Sequence, residues 1–590
     1  MDVGGSWIAR RWRLVRGLAA LGVAAMLAAC GGGGGGEDGP IASDAPATRE
    51  EAARFLTQAT FGPTQADIER VMRIGYERWI DEQLARAPSS HRALWEAADR
   101  ALKASDPNAS AGQEGVLNAF WRHAVHGADQ LRLRHAYALS QIFVISMVDG
   151  TVGDNPRAVA AWLDMLNEQG VGTYRQLLES VSRHPMMGVY LSHLRNQKAN
   201  PATGRVPDEN YAREVMQLFS IGIVELNPDG TPRTVGGALV ETYTPADISG
   251  LAKVFTGWSW DCVDTSNGCF YSGTVNGQSD PDRSFKPMKG YAQFHSTEAK
   301  TFLGTTIAAQ TTADPQASLT AALDAIANHP NVGPFFGRQL IQRLVTSNPS
   351  PQYVHDVARV FADNGKGVRG DLKAVLKAVL LHPEARTMSD TSGKVREPVL
   401  RLSAYLRAFP HTSDTGRWRV GNTDNPGSAL GQSPMRAPSV FNFFRPGYVP
   451  PGTYAAAAGL VVPEMQIAHE TTAAGYVNFM RDNLSSGVGV YNGTIDGVTY
   501  NRRDLRPDFT AELALADRPA ALVDHVVAKL TYGTVSQALK DTIVEAVASI
   551  AIPAPTSNGS NASAIDTAKL NRVRAAILLV LASPEFLVQR

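Results

Sequence analysis

Seven consecutive residues hold the densest potential chemistry in the chain: Asp208-Glu209-Asn210-Tyr211-Ala212-Arg213-Glu214. Following Pro207, the block reads as a helix start capped by Asp208. Helical spacing sets Glu209 beside Arg213 and Asn210 beside Glu214. Val215, Leu218, Phe219 and Ile221 come next, so a charged turn leads into an apolar one. Two carboxylates meeting an imidazole such as His295 in a cleft could divide acid and base roles, or bind a divalent metal. Glu209, Glu214 and His295 are the catalytic candidates on that ground. Glu214 is expected to be buried, with its charge neutralised by a partner such as Lys198 or by a metal. Arg213 and Lys300, with Lys198 and Arg205, could instead receive an acidic group. Asn210 and Trp258 complete the binding candidates. The same charges also fit an ion-pair network at a helix start, where acids suit the helix dipole and no ligand is involved.

Other constellations are weaker. His123-x-x-His126 has helical spacing for a metal, but no carboxylate pattern accompanies it. Phe255-Thr256-Gly257-Trp258 and Trp260 would either line a sugar or peptide groove or fill a core. The chain has no Gly-x-Ser-x-Gly elbow, phosphate-binding P-loop, His-Glu-x-x-His or Cys-x-x-Cys-His.

The elements that must position these residues are helical. Thr64-Gln65-Ala66-Asp67 and Thr244-Pro245-Ala246-Asp247 read as capping boxes, the second with Pro at the first helical position. Apolar periodicity predicts helices over 131–147, 158–166, 210–222, 334–345, 371–381 and 519–529. A recurring His-Pro or Ser-Pro step at 184–185, 329–330, 382–383 and 583–584 marks helix–helix corners, because Pro disfavours helix in the residue before it. At those corners the polar residue is expected to bond backbone rather than a ligand. Gly-Val alternation over 488–500 suggests a β-hairpin. Two stretches, 259–293 and 412–451, are rich in Gly, Ser, Asp or Pro and must be long excursions, which in compact domains are often functional. The expected fold is mainly α: a large multi-helical domain of about twenty helices, either undivided or split into two lobes near 390–450, with a minor β-hairpin and long Gly/Pro-rich loops.

Lys+Arg and Asp+Glu are both 56 in 590 residues, so the net charge is zero and a nucleic-acid partner is disfavoured. No apolar run reaches the roughly 20 residues that span a bilayer. Residues 1–29 read as an export signal: Arg10, Arg11, Arg13 and Arg16, then a short apolar stretch, then Leu27-Ala28-Ala29-Cys30. That tetrapeptide resembles the bacterial lipobox, which makes Cys30 the expected lipidation site. Removal of residues 1–29 would delete four Arg and one Asp and leave a net charge of −3. Residues 30–48, with six consecutive glycines, read as a lipidated Cys on a flexible tether, and 49–590 as the helical body. Gly31 rather than Asp follows the Cys, which implies an outer-membrane lipoprotein of the bacterial cell envelope. In such an exported chain, Cys262 and Cys269 are expected to form a disulfide.

Several blocks together resemble one family. They are Phe120-Trp121-Arg122-His123, Asp129 to Arg132, Ala138 to Phe143, Asp208 to Glu214 with Leu218 to Gly222, and Phe255 to Trp258. Further along are His295 with Lys300 to Gly304, Lys394 to Pro398, Gly431-Gln432 and Ala437 to Gly447. In that order they resemble the domain of unknown function number 1800 family of exported bacterial proteins. The resemblance runs from residue 51 to the C-terminus and brings no activity with it. It does imply an exported partner from the domain of unknown function number 1501 group. Ser296 departs from the Asp that many relatives carry there, which weakens a catalytic His–Asp pairing. The expectation is a membrane-anchored envelope lipoprotein that binds or assembles with an exported partner. The alternative is an envelope enzyme with a Glu/Glu/His acid–base or metal site.

Overall fold

The computed structural model describes residues 44–590 apart from 492 and 496. The expected export signal, Cys30 and the glycine run lie outside the described residues. The fold is mainly α, with twenty-six α-helices among the described residues and sheets of two or three short strands. The described residues form one compact unit. One hydrophobic core runs from Ala52 to Phe586 and takes in Val399, Tyr405, Trp418 and Leu430, so the stretch 390–450 is packed into the common core.

The body begins slightly before Arg49. Asp44 accepts the Glu77 backbone N–H at 2.8 Å, and Thr48 caps Arg49–Ala59 through the N–H of Glu51. Of the two expected capping boxes, the second forms in full and the first as a simple N-cap. Thr64 accepts from Asp67 N–H, and Thr244 and Asp247 make a reciprocal box with Pro245 opening the helix. The corner residues bond backbone: His184 accepts from Met186, His329 from Asn331, His382 from Glu384 and Ser583 from Phe586. Each side chain satisfies one of the unpaired N–H groups that every helix start exposes.

The expected hairpin near 488–500 is only partly local. Thr494–Ile495 pairs with Val498–Thr499, but Val488–Tyr491 pairs with Arg503–Pro507, which also pairs with His411–Ser413. Alternation reveals that a strand exists, while its partner is fixed by distant packing. Cys262 and Cys269 form the expected disulfide, and Cys269, Phe270 and Tyr291 make a small separate core inside the 259–293 excursion.

Candidate functional site

The charged block begins as a short helix, Asn210–Glu214, with Glu209 in the cap position and Asp208 accepting the Asn210 N–H at 2.8 Å. It then widens into a π-helical turn, Val215–Ser220, closed by Ser220 Oγ donating to the Val215 carbonyl. Such turns are uncommon and occur often at functional sites. Glu209 faces solvent, 3.7 Å from Arg213, and accepts from Ser249 Oγ. Asn210 is exposed and donates to Ser192 Oγ.

His295 stands elsewhere. Its side chain is fully buried, with Nδ1 at 2.7 Å from the Thr256 carbonyl and Nε2 at 3.0 Å from Ser318 Oγ. Burial lowers its pKa to about 4, so it is neutral at physiological pH. Both ring nitrogens are used structurally. Among the described residues, no three His, Cys, Asp or Glu side chains group to hold a metal. The expected Glu209/Glu214/His295 centre is therefore not assembled; the imidazole serves as a core bracket between two segments. Lys300 is also buried, near the Glu298 carbonyl, and Trp258 packs in the core with its indole N–H toward Val254, so neither offers a binding surface. His123 and His126 part company as well, packing against His91 and Trp418 respectively.

Glu214 is buried as expected, but among the described residues no buried cation neutralises it. Its Oε2 has no hydrogen-bond partner among the described residues, and the charge acting on it is that of exposed Arg213. Burial is the larger influence and raises the carboxyl pKa above the ordinary 4.5. The folded state then holds this proton more tightly than the unfolded state, so stability falls as pH rises from 4.5 through the folded-state value. Glu214→Gln is expected to remove that decline and, at pH 7, to melt no lower than wild type. Melting curves recorded across the window check this; a variant that melts lower at pH 7 would mean that the ionised carboxylate is compensated in the fold.

Where the recognised blocks do converge is a pocket of about 550 Å³. One wall is the helix Val332–Leu344, whose Phe335, Arg338, Gln339, Gln342 and Arg343 recur at three- and four-residue steps and share a face. The π-helical turn supplies Gln217 and Leu218, and Ile223 forms part of the rim. The 412–451 excursion closes the third side with Val440, Phe441 and Arg445, and Gln141 and Ile142 line it as well. Asn331 ties the rim to the helix start: its Nδ2 donates to the carbonyls of Ile221 and Val224, and its Oδ1 accepts from Leu226 N–H. Gly222 fits because φ is +70° and a Cβ there would lie 2.7 Å from the Phe335 ring.

Behind Gln141 lies a buried polar centre. Glu397 is fully buried, and its Oε2 accepts from Tyr137 Oη (3.1 Å), Gln141 Nε2 (2.6 Å) and Gln432 Nε2 (2.6 Å). Gln432 is itself oriented, its Oε1 taking the Val399 N–H. Cations surround this centre. Arg134 donates to the Arg343 carbonyl at 2.7 Å, and Lys394 pairs with Glu464 at 3.0 Å, both charges fully buried. Burial lowers the pKa of Arg134 and Lys394, and the fields of Glu397 and Glu464 offset part of the effect.

Sequence reasoning passed over this site. Glutamine does not titrate, so a search for acid–base chemistry ignores it, and Glu397 before Pro398 reads as a helix start. The available signal was the helix 334–345, where two Arg and two Gln share a face without an acid.

The residues around this centre come from blocks far apart in the chain: Gln141 from the first, Leu218 and Gly222 from the second, Glu397, Gln432 and Val440 to Gly447 from the last. No curated protein and no solved structure matches the chain. A family model does, over residues 54–588, and it spans all of these blocks. With nearly the whole described body inside that match, the chain belongs to the family described as protein of unknown function, DUF1800.

Proposed function

We propose that this protein is an envelope lipoprotein that works by binding, with the 550 Å³ pocket as its ligand site and an exported protein of the domain of unknown function number 1501 group as its partner. One observation carries the reading. The recognised blocks meet at a pocket whose buried polar atoms, Gln141 Oε1, Gln339 Nε2 and Gln342 Oε1, have no partner among the described residues. Unpaired buried polar atoms are costly unless something else satisfies them. The engagement of both His295 ring nitrogens by Thr256 and Ser318 weighs against the enzyme alternative. Its remaining support is the proton-holding Glu214.

The test is native mass spectrometry of the full-length protein extracted from its own envelope. The expected result is a bound small molecule, absent from Val440→Trp, which fills the pocket from its half-buried wall. An empty wild-type protein would overturn the binding reading. Anchoring is tested separately: Cys30→Ala is expected to move the protein from the membrane to the soluble fraction with its melting temperature unchanged. Unaltered membrane fractionation would defeat the lipoprotein reading.

A further inference from the structure

Two amides in the pocket wall, Gln141 and Gln342, have orientations that are chemically forced, and Gln339 adds an unpartnered Nε2 donor. Gln141 places its amide nitrogen 2.6 Å from the Glu397 carboxylate, which accepts hydrogen bonds and does not donate. The atom left over is the carbonyl oxygen, buried and unpartnered. Gln342 repeats the arrangement: Nε2 donates to the carbonyls of Ser347 (2.9 Å) and Pro446 (3.2 Å), leaving Oε1 buried and free. Gln141 is 5% and Gln342 4% exposed, so bulk water satisfies neither oxygen. Both residues belong to the pocket's lining, so its wall holds two acceptors of fixed orientation.

It also presents cations. Arg338 and Arg343 line it, and no Asp or Glu does among the described residues. Arg343 is buried, with its guanidinium 4.8 Å above the Phe444 ring. The carboxylates acting on it, Glu397 and Glu464, lie outside the lining. Burial lowers the pKa of both arginines, the mark of charge taken out of water without full compensation. Ile142, Leu218 and Phe335 supply apolar surface on the same pocket, whose volume is in the range that encloses most of a small ligand.

We propose that the pocket takes a small organic carboxylate carrying N–H donors and an apolar side chain, the chemistry of the C-terminal end of a short peptide. Its carboxylate would sit on Arg338 and Arg343, its amide N–H groups on Gln141 Oε1 and Gln342 Oε1, and its side chain against Phe335, Leu218 and Ile142. An anion without donors leaves both amide oxygens unpaired. A neutral amide leaves the guanidinium groups uncompensated. A free metal cation is repelled by them.

This inference rests on the reading of the pocket as a binding site, and its test separates the two. Calorimetric titration of the full-length protein in detergent would use N-acetyl-Leu-Phe with a free carboxylate, and the same peptide with a C-terminal amide. The acid is expected to bind one to one and the amide about tenfold or more weaker, the loss of a charge-assisted hydrogen bond. Arg338→Gln changes a half-buried residue and preserves the core. It and Arg343→Gln are each expected to weaken the acid by about ten- to a hundredfold and bring acid and amide together. Equal affinity for acid and amide, or acid binding untouched by Arg338→Gln, would overturn the proposal. Failure of both peptides to bind would overturn it too. In that case, an envelope-derived ligand lost in Val440→Trp would show that the binding reading stands while the ligand class is wrong.

Discussion

Glu397→Leu is expected to cost roughly 3–5 kcal/mol of folding stability, the range for removing one partner from a buried charged set. Three donors, Tyr137 Oη, Gln141 Nε2 and Gln432 Nε2, converge on one carboxylate oxygen and would lose their acceptor together. Arg134, Arg343 and Lys394 would each lose a neighbouring negative charge. Burial prevents water from replacing what is removed. Glu397→Gln separates stability from recognition. It keeps the side-chain shape but offers one neutral oxygen to donors that shared a charged one. Gln141 is then free to turn its amide, and its oxygen is no longer fixed in the pocket wall. Urea unfolding should show a smaller loss for Gln than for Leu, while binding of the free-acid peptide weakens clearly in the Gln variant. A Leu variant within about 1 kcal/mol of wild type would mean that water already shares the centre, as at an exposed ion pair.

The contrast between Glu397 and Glu209 shows what was legible in the sequence. Local features were: Thr244 with Pro245 and Asp247 specifies a helix start, and the His184 and His382 corners bond the backbone two residues on. These are contacts within a few residues, decided by side-chain reach. The disulfide was equally near at hand, its two cysteines seven residues apart. The candidate site was not legible in the same way. Glu209 sits in an obviously charged block yet faces solvent, whereas Glu397 is surrounded by partners 260, 256 and 35 residues away. His295 was chosen for its imidazole, and Ser318, 23 residues on, occupies the nitrogen that catalysis would need. Residue type says what a group can do. Only packing says whether another segment has already claimed it. The 412–451 excursion was correctly singled out as a long loop, but its contribution, Gln432 at the centre and Val440 in the wall, depends on where it lands.

The Lys394–Glu464 pair allows the sharpest energetic test. Both side chains are fully buried and 3.0 Å apart. Taking the two charges out of water is expensive, and their mutual attraction repays that only while both are present. Lys394→Met alone is therefore expected to lose roughly 3–5 kcal/mol, because Glu464 stays behind charged, with Oε2 already lacking a hydrogen-bond partner. Glu464→Leu alone should lose a similar amount by stranding the ammonium. The double variant should regain most of the loss, since replacing a buried ion pair by apolar side chains of similar size is often neutral or better. The local structure permits that recovery. Lys394 Nζ also donates to the Arg343 carbonyl, but Arg134 Nη2 donates to the same oxygen at 2.7 Å, so the carbonyl stays satisfied without the lysine. Backbone pairing of Lys394–Val395 with Val588–Gln589 does not involve the side chain and should hold the strand in place. A double-mutant cycle by urea unfolding reads the coupling directly. Additive losses, with the double variant as unstable as the two singles combined, would mean that each charge is held by other groups and that the pair is not the unit of stability.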